Sequence, residues 1–344
     1  MPQTRSPSPL TMLLLRHTNR RAFITLLGGA AAAWPLAARA QQPAMPIIGF
    51  LSSRSPGESA GVVAAFRQGL RETGFVEGRN LAIAFRWADG RYDSLPVLAA
   101  ELVDLPVTLI FAAGGPPTAF AVKAATSTIP IVFSAVSDPV EIGLVPGLNQ
   151  PGGNITGMAV FNATLAGKRI ELMKELIPTA AVIGYLLNPA DQMSAIESKG
   201  ALAAARALGI ELKVLNASSE DELETAFAAV AKLGAGALVV AGEPFFDSKR
   251  ERIVALSARG GVAAVYAWRE YVLAGGLMSY GTDLPESYRE AAIYAGRILK
   301  GEKPENLPVM QPTKFHLAFN LQTARALGIA VPPTLLARAD EVIE

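Results

Sequence analysis

Leu109-Ile110-Phe111-Ala112-Ala113-Gly114-Gly115-Pro116-Pro117-Thr118-Ala119-Phe120 decides the reading of this chain. Five apolar residues without a polar break suit a strand buried on both faces, as in a parallel sheet. Two glycines then turn the chain. Proline follows, in the first turn of a helix where its missing N–H costs least. The same order returns in the second half as Ala237-Leu238-Val239-Val240-Ala241-Gly242-Glu243-Pro244. A strand, a glycine turn and a proline-led helix, met twice, imply two related βα series.

Around the first copy, 47–52, 81–87, 109–113 and 131–134 read as strands, and 60–73, 92–105 and 117–126 as helices. In the first helix Val62, Val63, Phe66 and Leu70 share one stripe. After the loop Leu148-Asn149-Gln150-Pro151-Gly152-Gly153-Asn154 the alternation restarts. Helices over 165–177, 193–208, 220–233 and 245–260 then alternate with strands over 181–187, 210–215, 237–241 and 262–266. What remains is strand 276–281, helix 284–300, strand 315–320 and helix 321–327, too little for a third domain. The expectation is an α/β chain of two doubly wound parallel-sheet lobes joined by a three-segment hinge near 155–161, 279–283 and 307–314. Lobe 1 takes 41–157 plus 282–310, lobe 2 takes 158–281 plus 311–335, and 336–344 is left as a C-terminal tail.

The 344 residues carry a formal charge of +1, but the first forty hold five arginines and no acid. That leaves 26 basic against 30 acidic residues in 41–344, a mildly acidic body with no electrostatic reason to bind nucleic acid. Arg20-Arg21-Ala22-Phe23-Ile24-Thr25, an apolar run from Leu26 to Leu36 and Ala38-Arg39-Ala40 have the order of a secretory signal, with paired arginines of the twin-arginine kind. Cleavage is expected near Ala40-Gln41, the start lies at Met1 or Met12, and the Sec route stays open. The mature protein is expected in the periplasm, as a monomer. Cysteine is absent, which excludes disulfides, thiolate metal sites and a cysteine nucleophile.

The chemistry points to binding. His316 is the only histidine after residue 40, so a histidine zinc site is excluded, and no phosphate loop or dinucleotide fingerprint is present. Gly57-Glu58-Ser59-Ala60-Gly61 matches the nucleophile elbow, and His316 completes the order of a serine hydrolase. Ser59, however, trails its strand by seven residues and reads as the cap of the helix at Ala60. No catalytic residue and no cofactor are expected. Ligands of open parallel sheets sit beyond the carboxyl ends of the strands. Those ends are Ser52-Ser53, Gly114-Gly115-Pro116 and 134–138 in lobe 1, and Asn188-Pro189, 243–247 and 266–268 in lobe 2. For an amphoteric ligand, the helix N-terminus beyond Gly114 and Gly115 is the anion site, with Ser52, Ser53 and Ser134 as hydroxyl donors. Asp138 accepts from an ammonium, and Phe245, Phe246, Tyr266, Trp268 and Tyr280 wall the side chain, at least two of them packing inside lobe 2 instead.

Longer stretches carry a resemblance: Ile129-Pro130-Ile131-Val132-Phe133 with Ser137-Asp138-Pro139-Val140, then the loop 148–154 running into Ile155-Thr156-Gly157, and Gly275-Gly276-Leu277-Met278-Ser279-Tyr280-Gly281. Ala295-Gly296-Arg297-Ile298-Leu299-Lys300-Gly301 and the Pro332-Pro333 tail extend it over essentially the whole chain. The sequence resembles the substrate-binding proteins of bacterial ABC transporters with the type I periplasmic-binding fold, in the branch that binds amino acids such as tryptophan. The resemblance implies a small-molecule ligand, a pocket loop at Gly114-Gly115-Pro116 and an ABC permease in the inner membrane as partner. A ligand-sensing module for a membrane receptor is the alternative on the same fold.

Overall fold

β1 (Ile47–Ser52) runs inside a five-stranded parallel sheet of order β2-β1-β3-β4-β5, with β2 Ala82–Trp87, β3 Leu109–Ala113, β4 Ile131–Ser137 and β5 Ile155–Val160. A computed structural model describes residues 45–160 and 162–344 of the chain, so the export-signal reading of 1–40 lies outside the described residues. Apolar runs suit strands buried on both faces, and β1 shows why. Ile48 and Phe50 enter an aromatic cluster with Phe66 and Phe111, while Leu51 packs on the opposite face with Leu102, Ile110 and Phe133.

The second sheet has the order β12-β11-β10-β9-β8-β6-β7. Its strands are β6 Val182–Leu187, β7 Glu211–Asn216, β8 Ala237–Val240, β9 Ala263–Tyr266, β10 Met278–Thr282, β11 Phe315–Asn320 and β12 Glu341–Ile343. Counted within each lobe, both sheets begin with the doubly wound order 2-1-3-4-5, so the restarted alternation is a repeated topology. β11 is the exception to parallel pairing: it lies antiparallel to β10. The stretch 336–344, expected as a tail, ends in β12, which pairs with β11 and is tied there by Arg269 and Glu341 (2.6 and 2.8 Å).

The helices are α1 Ala60–Glu72, α2 Leu95–Val103, α3 Pro116–Ala125, α4 Asn162–Leu176, α5 Ser194–Ala207, α6 Glu220–Lys232, α7 Pro244–Ser248, α8 Arg250–Arg259, α9 Arg269–Leu273, α10 Leu284–Leu299, α11 Leu321–Ala326 and α12 Pro333–Leu336. The single helix expected over 245–260 is two, because Lys249 leaves helical geometry (φ −115, ψ 18) between α7 and α8. α10 returns to the first sheet and packs on α1. A Cβ on Gly69 would fall on the Arg289 carbonyl and one on Gly296 on the Thr73 hydroxyl, so both glycines set how closely these helices approach. Residues 307–310 then run beside β5, through Thr156 Oγ1 to the Leu307 carbonyl (2.7 Å) and Met310 N–H to the Gly157 carbonyl (2.9 Å). The chain crosses between the sheets three times: after β5, before α10 and between Met310 and β11. No helix among the described residues is long and apolar enough to cross a membrane.

Candidate functional site

In a 2-1-3-4-5 sheet the connections from the first and third strands leave in opposite directions, opening a crevice at their carboxyl ends. In lobe 1 that crevice lies between Ser52-Ser53-Arg54 after β1 and Gly114-Gly115 after β3. In lobe 2 it lies between Asn188 after β6 and Gly242-Glu243 after β8. The two crevices face each other. The Pro244 ring stands 3.4 Å from where a Cβ on Gly115 would sit, so the two glycine turns of the repeat meet across the cleft.

Two polar links cross it. Arg54 Nη2 donates to Asp247 Oδ2 at 2.6 Å, with both side chains buried. Trp268 Nε1 (3.1 Å) and the Tyr271 hydroxyl (3.3 Å) also donate to Asp247. The Tyr92 hydroxyl donates to Glu243 Oε2 at 2.7 Å and accepts from the Phe245 N–H at 3.0 Å. Between these links lies a cavity of about 20 Å³, room for about one water, lined by Arg54, Gly114 and Pro116 from lobe 1 and by Asp191, Glu197 and Glu243 among others from lobe 2. Outside the Tyr92–Glu243 link, a larger rim cavity of about 460 Å³ opens between 89–93 and the loops holding Asn188, Ser218 and Phe245.

The charges are unusual for an interior. Arg54 stays a cation: burial opposes its charge, and Asp247, with Tyr288, Glu270 and Tyr271, more than offsets that. Burial, reinforced by Asp191, pushes Glu243 up to about 8, although Asn188 and the Phe245 and Phe246 N–H groups also donate to it. Burial raises Glu197 to about 7 against the pull of Arg169, whose Nη1 is 4.0 Å away, and it raises Asp191 too.

The structure brings only part of the expected site to this cleft. Gly114 and Trp268 line the inner cavity, Gly115 faces Pro244, and Asn188 holds Glu243. Phe245 lines the rim cavity. The Ser52 hydroxyl accepts from the Arg54 N–H, and the Ser53 hydroxyl gives its proton to the Gly114 carbonyl, so both take part in the turns and neither lines the inner cavity. Ser134 is buried beside this loop without lining the cavity. Asp138 is corrected outright. Its side chain is exposed, accepts the Glu141 N–H in a turn entered at φ 35, and lines neither the inner nor the rim cavity. Phe246 is core, Tyr266 stacks on Tyr271 and donates to Ser257, and Tyr280 packs on Phe315 near the hinge. At α3 Pro116 and Pro117 have no N–H to offer, so Thr118 is the first backbone donor of that helix.

Ser59 is no nucleophile elbow. It stands at the α1 N-cap with relaxed backbone (φ −92, ψ 1), and its buried hydroxyl has no hydrogen-bond partner, neither a base nor the helix it was expected to cap. His316 lines a separate cavity of about 520 Å³ at the hinge, with Met158, Met310 and Thr282 at the end of β10.

The residues that the sequence did not single out are Arg54, Tyr92, Asp191 and Glu197; the 243–247 loop was placed at the site, but its acids Glu243 and Asp247 were given no role. Arg54 carried one usable signal, a lone cation directly after a buried strand. A further mark appears only in three dimensions: Ala135, which lines the inner cavity, sits at φ 62 where β4 shifts register.

A family model described as ABC transporter substrate binding protein matches residues 54–343. The chain belongs to this family. Among its relatives, the tyrosine-binding protein of Clostridioides difficile (strain R20291) is 28% identical over 265 residues, 77% of this chain and 75% of the relative. A conserved domain protein of Vibrio cholerae superposes with a TM-score of 0.81 at 28% identity, covering 87% of this chain and 99% of that one. An ABC domain of Streptococcus pneumoniae in complex with L-Trp gives 0.78 at 26% identity, covering 86% and 100%. This substrate-binding protein thus has the two-lobed, type I periplasmic-binding architecture, and its family is one of binders rather than catalysts.

Proposed function

We propose that this substrate-binding protein is an exported receptor that captures a small carboxylate-bearing solute between its lobes and delivers it to an ABC permease. An apolar or aromatic amino acid is the favoured ligand class. The observation that carries the reading is the meeting of the two strand-end crevices across one cleft, bridged by Arg54–Asp247 and Tyr92–Glu243. The inner cavity of about 20 Å³ is far smaller than an amino acid. Capture therefore requires the lobes to part at the three crossovers and close again, as hinge-bending binding proteins do. The relatives that bind tyrosine and L-Trp support the amino-acid class. The residues ahead of the fold, with Arg20-Arg21 and Ala38-Arg39-Ala40, support periplasmic delivery.

A thermal-shift screen of amino acids, aromatic acids and small carboxylates tests the reading, because a ligand at ~100 times its dissociation constant adds about 2.7 kcal/mol. Small-angle scattering on a confirmed binder is expected to show more closed lobes with ligand than without. An unchanged distribution would leave a rigid binder and remove the hinge. Mass spectrometry of periplasmic protein is expected to find an N-terminus near Gln41, and a retained leader would remove the export route.

A further inference from the structure

Both helix openings at the cleft are closed to an anion. At α3 the first two positions are prolines, and Thr118 behind them is buried without lining the inner cavity, while at α7 the Glu243 carboxyl already accepts from Phe245 and Phe246. The Ser53 hydroxyl has given its proton to the Gly114 carbonyl, and neither Ser52 nor Ser53 lines the inner cavity. That leaves Arg54. Its guanidinium is buried, its one side-chain hydrogen bond among the described residues goes to Asp247, and its Nε has no partner. A buried cation with an unspent donor beside a cavity is suited to receive an anion.

The opposite wall is acidic. Asp191, Glu197, Glu243 and Asp247 line the same cavity, and among the described residues Arg54 is the one cation lining it. Glu243 is satisfied by four donors and Asp191 accepts from the Met193 N–H (2.7 Å). Glu197 differs. It is buried on the first turn of α5, and its Oε1 has no hydrogen-bond partner, with Arg169 Nη1 held off at 4.0 Å. One cavity therefore has an unspent donor on a buried guanidinium and an unspent acceptor on a buried carboxylate.

Resting on the receptor reading above, we infer that the cleft is built for a zwitterion, its anionic group on Arg54 and its cationic group on Glu197. When Arg54 turns to the ligand, Asp247 keeps the Trp268 and Tyr271 donors and remains satisfied. Binding then replaces a buried protein ion pair by two protein–ligand pairs and buries no net charge, which limits the desolvation cost.

Titration calorimetry on the mature chain tests this with L-tyrosine, L-tryptophan and L-leucine, each beside its decarboxylated amine and its deaminated acid. For whichever amino acid binds, the amine and the acid are expected to bind ~10- to 100-fold more weakly, the range of one buried charged hydrogen bond. Arg54→Gln is expected to weaken the amino acid and the deaminated acid and to leave the amine unchanged. Glu197→Gln is expected to weaken the amino acid and the amine and to leave the acid unchanged. Arg54→Lys, which keeps the charge, is expected to fall between wild type and Arg54→Gln, and guards against reading a folding defect as a lost contact. A deaminated acid or an amine that binds as tightly as its amino acid overturns the inference. So does unchanged amino-acid affinity in folded Arg54→Gln and Glu197→Gln. If only singly charged or neutral solutes from the wider screen bind, the zwitterion is wrong and the receptor stands. If no solute of any class binds, the receptor reading fails first.

Discussion

Gly114-Gly115-Pro116 and Gly242-Glu243-Pro244 are copies in outline and opposites in chemistry. Each follows the third strand of its lobe, each opens a helix with proline, and they touch across the cleft. In the first, the N-cap is Gly115 at φ 95 and ψ −167, a conformation essentially confined to glycine. In the second, Glu243 caps its own helix and takes the Tyr92 hydroxyl from the other lobe. A repeated backbone has thus not repeated the electrostatics. One loop supplies a bare surface without a charge, and the other a buried carboxylate. The charge that holds the lobes together comes from neighbouring positions, Arg54 after β1 and Asp247 inside α7.

The comparison breaks hardest at Asp247. Asp247→Ala leaves Arg54 buried without its ion-pair partner, and breaking such a pair costs about 3–5 kcal/mol. Arg54→Met is expected to be milder, since Asp247 keeps the Trp268 and Tyr271 donors. The double variant is expected to be more stable than Asp247→Ala alone, because the unpaired charge is gone. Urea unfolding of the four proteins measures this cycle. Equal losses for the two single variants would mean that the pair is no more than a surface contact.

The fold was legible because its signals are local and repeated. Buried strands read as apolar runs, helices as stripes, and the glycine turns marked the strand ends where the cleft forms. Even the return of α10 to the first sheet followed from what each lobe lacked. The site was legible only as a place. Asp138 stands in a turn that looked like a pocket loop, yet one residue at positive φ aims it at solvent. Glu197 and Asp191 look like ordinary solvated acids near a helix start, and nothing in their own sequence reports that the opposing lobe and α4 enclose them. Burial by segments far apart in the chain is the quantity that a local pattern does not carry. β12 escaped for a similar reason: its three residues become a strand only beside β11.

The difference between the loops sharpens at Gly115. Gly115→Ala places a Cβ against the Ala135 carbonyl and Pro244 and demands a backbone region that costs an L-residue about 1–3 kcal/mol. The loss is expected in both stability and lobe closure. Alanine at Gly57, where the backbone is relaxed and nothing lies within 4 Å, is expected to change neither. Tyr92→Phe is a smaller step, removing one donor of Glu243 and the acceptor of the Phe245 N–H, for about 1 kcal/mol of closure. The chain has no cysteine, so one labelled cysteine in each lobe reports the distance between lobes without interference. A distance distribution identical to wild type would show that the Tyr92 link does not hold the cleft.

The smallest expected effect is that of pH, because lobe 2 lines the cleft with buried, raised carboxyls, whereas in lobe 1 the raised acid near Arg54 is the half-buried Glu58. Glu243 is pushed up to about 8 and Glu197 to about 7, from an ordinary value near 4.5, chiefly by burial. Burial raises Asp191 and Glu270 as well. A carboxyl whose folded pKa is raised binds its proton more tightly folded than unfolded. Its contribution is therefore complete below the unfolded value and is lost as pH climbs through the folded one. The depressed carboxylates, such as Glu286 and Glu341, slope the other way, but only below the ordinary carboxylate range. Stability is thus expected to fall between about pH 5 and pH 8.5. Glu243 owes part of its burial to Tyr92 of the opposite lobe, so opening the cleft rehydrates it and closing takes up protons in the same window. Glu243→Gln is expected to reduce the slope across the whole window and Glu197→Gln only its part below about pH 7. Denaturation at constant ionic strength across this range gives the slope directly. A wild-type stability that is level or rising from pH 6 to pH 8.5 would mean that these acids are hydrated and charged in the folded protein, and that the two loops differ in sequence without differing in charge.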